Sequence, residues 1–241
     1  VAGNRGLISP EQVEAAIRPK DPYTIQPALI CLENTHNSGG GTIYPLATIE
    51  RIRAVAATHC IPMHLDGARL FNAVAATTLP PASYAQHFDT LSVCLSKGLG
   101  APAGSLLMMN DLTLLDKAKR LRSMYGGAMR QSGILAAAGI YALEHHIGRL
   151  KVDHDHAKRL ARRLQQIPSV RISPQDVDTN IVIFDVIGHH LSPPAIVSAL
   201  KQAGVLINAI GGTSFRAVTH LDVSSAMTEE ACEIFTRVLG D

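Results

Sequence analysis

The sequence predicts an α/β protein: a mostly parallel sheet flanked by helices, followed by a small C-terminal α+β domain. Two observations carry this. Up to about residue 110, short apolar runs alternate with polar loops and with segments of helical spacing, the pattern of a layered sheet. After Pro168 the texture changes to short strands and two further helices. The expected division is 1–150 for the large domain and 151–241 for the small one, with the connecting helix in the latter.

Taken in order, Ser9-Pro10-Glu11-Gln12 has a hydroxyl N-cap, a proline in the first turn and a glutamine three residues after the cap, predicting a helix to about Ile17. Ala28 to Leu32 is wholly apolar, as in a strand covered on both faces. It ends in a polar, Gly-rich loop from Glu33 to Gly41. Leu46, Ile49, Ile52 and Val55/Ala56 recur at helical spacing within Pro45–Thr58. A strand at Ile61–Leu65, a helical stretch near Ala68–Ala76 and strands at Leu91–Leu95 and Ser105–Met109 follow. A helical block runs from Leu112 to about Gln166, broken at Tyr125-Gly-Gly127 and near Gly148. The tail predicts strands at Asn180–Phe184, Val205–Asn208 and Phe215–Thr219, with helices at Pro193–Ala203 and Thr228–Leu239.

Bulk properties narrow the function. Of 241 residues, 46% are hydrophobic and 17% charged, which suits a packed globule and excludes a disordered or fibrous chain. A formal net charge of +2 gives no global argument for nucleic acid or membrane partners. The basic clusters Lys117–Arg122 and Lys158–Arg163 read as solvated helix faces. Cys31, Cys60, Cys94 and Cys232 are scattered, so no disulfide framework is expected and a reducing, cytoplasmic setting is the default. No run reaches transmembrane length and no signal peptide is visible. His154-Asp-His156, His145-His146 and His189-His190 lack a converging ligand set and read as solvent-exposed imidazoles; no metal is expected.

Two strand ends carry the chemistry. The run from Leu91 ends in Ser96-Lys97-Gly98, and 31 residues earlier a similar run ends in Asp66-Gly67-Ala68-Arg69. Open α/β sheets bind ligands at the carboxyl ends of their strands. A lysine near apolar walls is nucleophilic enough to form a Schiff base, and a carboxylate beside it suits a protonated pyridine nitrogen. Together they point to pyridoxal 5'-phosphate (PLP). Gly39-Gly40-Gly41 and Gly126-Gly127 read equally well as phosphate-cradling loops and as flexible turns.

Five motifs extend this. Leu32-Glu-Asn-Thr-His36-Asn, His64-Leu-Asp66-Gly-Ala-Arg69-Leu-Phe-Asn72-Ala, Ser92-Val-Cys-Leu-Ser-Lys97-Gly-Leu-Gly-Ala-Pro-Ala-Gly-Ser105, Gly126-Gly-Ala-Met-Arg130-Gln-Ser-Gly and Arg216-Ala-Val-Thr-His-Leu-Asp222-Val occur in this order. In these motifs the chain resembles the low-specificity L-threonine aldolases. The resemblance implies the fold-type I PLP-dependent architecture and a homodimer or homotetramer with active sites at the dimer interface. It implies cleavage of L-threonine or L-allo-threonine, and of other β-hydroxy-α-amino acids, to glycine and an aldehyde. By the same resemblance Lys97 is the Schiff-base lysine and Asp66 the partner of the pyridine nitrogen. Arg69 and Arg216 hold the substrate carboxylate, with Arg69 also near the cofactor. His36 faces cofactor and substrate hydroxyl, where an imidazole, directly or through a water, suits removal of the hydroxyl proton. The role of Arg130 is left open.

Departures from the family pattern set further expectations. Ser123 stands where relatives usually have Lys, which bears on activity level and reaction outcome. The family's N-terminal segment supplies a sheet strand, the cofactor-phosphate loop, a ring that stacks on the pyridine and a serine for the substrate carboxylate. No counterpart precedes Val1, so a fragment or a truncated chain is expected, with weak PLP binding by these residues alone. The rival functions are a PLP-dependent amino-acid (alanine) racemase and an inactive truncated relative.

Overall fold

The computed structural model describes residues 1–19, 21–172 and 177–240. The chain forms two compact units, Val1–Gly148 and Arg149–Asp241.

The first unit opens with α1 (Pro10–Ala16), started by the expected capping box: the Ser9 hydroxyl accepts the Gln12 amide and the Gln12 side chain accepts the Ser9 amide. Then come β1 (Ile30–Glu33), α2 (Leu46–Thr58), β2 (Met63–Asp66), α3 (Leu70–Thr77), α4 (Pro81–Ala85), β3 (Thr90–Cys94) and β4 (Ser105–Met109). A 3-10 turn at Leu112–Leu114 leads into α5 (Leu115–Met124), and α6 (Gly133–His145) closes the unit. The sheet order is β1-β2-β3-β4; the first three strands run parallel and β4 returns antiparallel to β3. The helix α4 is too short to show in residue spacing, and the sequence reading missed it.

Strand registers sort the side chains. Paired residues of neighbouring strands project to the same face. Ile30, Leu32, Met63, Leu65, Leu91 and Val93 are buried on one face, with Ile49, Ile52, Tyr84 and Phe88 in the same core. The rows Cys31–His64–Thr90 and Glu33–Asp66–Ser92 lie on the opposite face and are half-buried or exposed. The His64 Nδ1 to Thr90 Oγ1 distance of 2.7 Å confirms that they share that side. The expectation that Ala28–Leu32 is covered on both faces is therefore corrected. The run is apolar, but within these residues only one face is packed, and Cys31 and Leu29 are exposed. The edge strand β4 is exposed along most of its length, with Leu107 54% accessible.

The second unit holds α7 (Leu150–Leu164), β5 (Val170–Arg171), β6 (Ile181–Val186), α8 (Pro193–Gln202), β7 (Asn208–Gly211), β8 (Ser214–Val218) and α9 (Ser225–Leu239). Its sheet, ordered β5-β6-β8-β7, is antiparallel throughout. Phe184 stacks on Phe215 at 5.6 Å between ring centroids and meets Phe235 edge-on at 5.8 Å, the favoured aromatic geometries. The two-residue β5 also escaped the sequence reading.

A second correction concerns the histidines of α7. His154 and His156 are buried, at 3% and 4% accessibility, not solvent-exposed. They sit with Asp153, which takes a paired contact from Arg149 at 2.6 and 3.1 Å. His156 Nε2 lies 2.9 Å from Ser225 Oγ. The signal was present: Leu150, His154, Ala157, Ala161 and Leu164 follow the helical stripe, and position 154 belongs to it. Burial drives the His154 pKa down to about 4, with Lys158 adding to the shift and Asp153 and Asp155 opposing it. Of the other pairs, His145 is exposed and His146 half-buried.

Candidate active site

Three parallel strands end at one rim of the first sheet, and each delivers a polar group there. β2 ends at Asp66, paired in register with Glu33 of β1 and Ser92 of β3. The chain then turns into α3: Asp66 Oδ1 accepts the Ala68 amide at 3.0 Å, and Gly67 fits against Ser92 because a Cβ there would lie 2.7 Å from the Ser92 carbonyl oxygen. The residue type and position follow from the turn.

The Lys97 turn is tied from several directions. The Leu95 amide donates to Gly104 at 3.0 Å, the Ala101 amide to Leu95 at 3.0 Å and the Gly100 amide to Lys97 at 2.8 Å. The His146 ring, beyond α6, contacts the Leu99 carbonyl through Nδ1 at 2.5 Å, which places the ring proton on that nitrogen. On the same helix Gly139 leaves room for Leu95, whose Cδ1 would lie 2.9 Å from a Cβ at that position. Lys97 itself is half-buried.

His36 occupies the loop after β1. Its amide donates to Thr42 at 2.8 Å and its carbonyl accepts the Gly41 amide at 2.9 Å, so the Gly39–Gly41 segment folds back on it. The Gly39 amide donates to His36 Nδ1 at 3.0 Å. Arg5 Nε and Thr42 Oγ1 both donate to the Gly39 carbonyl, at 3.3 and 2.7 Å. Gly6, at φ +82°, lies against the imidazole; a Cβ there would fall 2.2 Å from Nδ1. The Tyr44 hydroxyl donates to Gly6 at 3.2 Å and accepts the Ile8 amide at 2.8 Å, and burial raises its pKa, keeping it protonated. The glycine loop thus serves as the mount of His36. We expect Gly6→Ala to cost at least about 1 kcal/mol, from the positive φ and the collision with the ring. A denaturation midpoint equal to that of the parent protein would contradict this.

His36, Glu33, Asp66 and Cys31 line one cavity of about 490 Å³. Desolvation and then the Asp66 carboxylate raise the Cys31 thiol pKa, so this cysteine stays protonated and is a poor nucleophile. Arg69 is anchored by its NH1 donating to Asn37 Oδ1 at 3.0 Å, which joins the β2 turn to the His36 loop. The structure therefore brings His36, Asp66 and Arg69 into one neighbourhood and sets Lys97 on the turn after the adjacent strand. Arg216 belongs to the second unit, half-buried in β8 between Ile183 and Asn208. Arg130 is exposed, and Ser123 is exposed in α5 with its hydroxyl donating to the Lys119 carbonyl at 3.1 Å. Among the described residues no group of three or more His, Cys, Asp or Glu side chains is placed to hold a metal.

The donor set fits PLP at two of its points. A half-buried amine can hold its aldehyde carbon, and a carboxylate can pair with its ring nitrogen. Asp66 ends β2 and Lys97 follows three residues after the end of the adjacent, parallel β3, strands that lie about 4.8 Å apart.

A mostly parallel sheet flanked by helices, followed by a separate antiparallel unit, is the fold-type I architecture. The solved threonine aldolase of Leishmania major shares it, with a TM-score of 0.75 at 19% identity, over 99% of this chain and 69% of that one. The chain belongs to the beta-eliminating lyase family, whose model matches residues 1–187. It is 40% identical over 225 residues to the low specificity L-threonine aldolase of Escherichia coli K12, covering 93% of this chain and 64% of that protein. To low-specificity L-threonine aldolase 1 of Arabidopsis thaliana it is 35% identical over 237 residues, covering 97% of this chain and 66% of that protein. The chain thus spans about two thirds of the length of these curated relatives.

Sequence reasoning missed Glu33. The side chain sits three residues before His36 and its Oε1 accepts the Asn37 amide at 3.0 Å, a contact that residue types do not reveal.

Proposed function

We propose that this chain carries the lysine-bearing part of a PLP-dependent aldolase that cleaves L-threonine and L-allo-threonine, among β-hydroxy-α-amino acids, to glycine and an aldehyde. The observation that carries this reading is the position of Asp66 at the end of β2 and of Lys97 three residues past the end of the adjacent, parallel β3. When bound, PLP supplies an electron sink for the pair released as the Cα–Cβ bond breaks. Lys97 holds the cofactor through its amine, and Asp66 keeps the pyridine nitrogen protonated. Arg69 meets the substrate carboxylate, where a guanidinium fixes the orientation of Cα by two parallel hydrogen bonds. His36 meets the β-hydroxyl from the cavity it shares with Asp66.

The protein works as a homodimer or homotetramer on this reading, and the exposed apolar residues Leu107, Ile134 and Ile140 accord with such contacts. Free cysteines accord with the cytoplasm. Among the described residues no helix is long and apolar enough to cross a membrane.

Protein saturated with PLP and given L-threonine should release acetaldehyde and glycine in equal amounts. Release of neither, or conversion of L-alanine to D-alanine without aldehyde from L-threonine, would overturn the assignment.

A further inference from the structure

The surroundings of His36 constrain which ring nitrogen carries the proton. A backbone N–H can only donate, so the Gly39 amide at 3.0 Å makes Nδ1 an acceptor and places the proton of the neutral ring on Nε2. On the other side of the ring, Glu33 Oε2 lies 3.6 Å from Nε2. A carboxylate there favours a proton on the nitrogen facing it. At 3.6 Å no hydrogen bond forms, so the N–H remains available to a ligand oxygen. Glu33 is itself held: its Oε1 accepts the Asn37 amide at 3.0 Å, and Asn37 in turn takes the Arg69 guanidinium. The ring cannot flip without cost, because Gly6 packs directly against it.

We propose that Glu33 is a positioning residue of this site: with the Gly39 amide it holds His36 as the Nε2–H tautomer, so that the imidazole offers the substrate's β-oxygen a hydrogen-bond donor. In this tautomer neither ring nitrogen is free to take the hydroxyl proton, which corrects the expectation that His36 removes it directly; that proton passes to a solvent water, and the Nε2–H donor stabilises the negative charge left on the oxygen. The charged groups around the ring are Glu33 and Asp66 in the cavity wall, Arg69 behind Asn37 and Arg5 on the Gly39 carbonyl. Of these, Glu33 brings its Oε2 to 3.6 Å from Nε2.

The catalytic half of this inference rests on the aldolase reading; the tautomer half does not. In protein labelled with ¹⁵N-histidine, the His36 resonances, identified by their loss in His36→Gln, should show a protonated Nε2 and a bare Nδ1. Glu33→Ala should shift them toward a mixture of tautomers and lower kcat on L-threonine about tenfold, the size of effect an orienting partner commonly has. Glu33→Gln keeps the acceptor for the Asn37 amide but removes the charge, and should shift both readouts in the same direction as Glu33→Ala. A protonated Nδ1 in the parent protein would overturn the proposal, and so would an unchanged spectrum in Glu33→Ala. Should the parent protein release no acetaldehyde, the aldolase reading fails and the spectrum alone decides the role of Glu33. Should Glu33→Ala not fold, the parent spectrum and Glu33→Gln still decide it.

Discussion

Replacing Lys97 with Ala should abolish covalent cofactor attachment and, with it, the visible absorbance of the loaded protein. On the aldolase reading, turnover of L-threonine should fall by on the order of 10³-fold or more, since that reading gives the Lys97 amine both the cofactor bond and proton transfer. The half-buried side chain lies in a turn held by main-chain bonds at Leu95, Lys97 and Ala101, so the Ala variant should keep its fold and its circular dichroism. Removing the amine tests chemistry without disturbing its mount. If the absorbance band survived in Lys97→Ala, another residue would hold the cofactor, and the whole arrangement around Asp66 would need reassignment.

The second large effect concerns acid. His154 is buried with a pKa of about 4, against an ordinary value of 6.5. Above the ordinary value both folded and unfolded chains hold it neutral, and it adds no pH dependence. As pH falls below that value, the unfolded chain takes a proton that the folded chain refuses, so stability drops. The loss continues until the folded-state pKa is reached and is constant below it. Integrated over this window it amounts to roughly 3 kcal/mol. Urea midpoints of the protein should therefore fall steeply between neutral pH and pH 4.5. His154→Leu removes the proton site and should flatten that slope. Equal slopes in the two proteins would show that carboxylates elsewhere carry the whole effect.

Much of the fold was legible because single residues announced it. Ser9, Pro10 and Gln12 specify the start of α1, and the ends of β2 and β3 stand out by their polar residues. Less legible was whatever depends on which side of an element faces the core. His154 and His156 looked like surface imidazoles because histidine is polar, although the stripe from Leu150 to Leu164 already included position 154. Ala28–Leu32 looked covered on both faces because hydrophobicity does not say which neighbours are within reach. For the candidate site, Lys97, Asp66, Arg69 and His36 are visible as residue types in motifs. The bond from Gly39 to His36 is not, since any residue type supplies a backbone amide.

The contacts of α6 with the lysine turn have a consequence for length. Gly139 meets Leu95 and His146 meets Leu99, so the helix grips the turn two residues to either side of Lys97. The two gripping positions are seven residues apart, close to two full turns, which puts them on one face. The span thus works as a ruler. One residue added between them would swing His146 by about 100° around the helix axis and release Leu99. Substitutions along that stretch are tolerated wherever they face away, while its residue count is not free to vary.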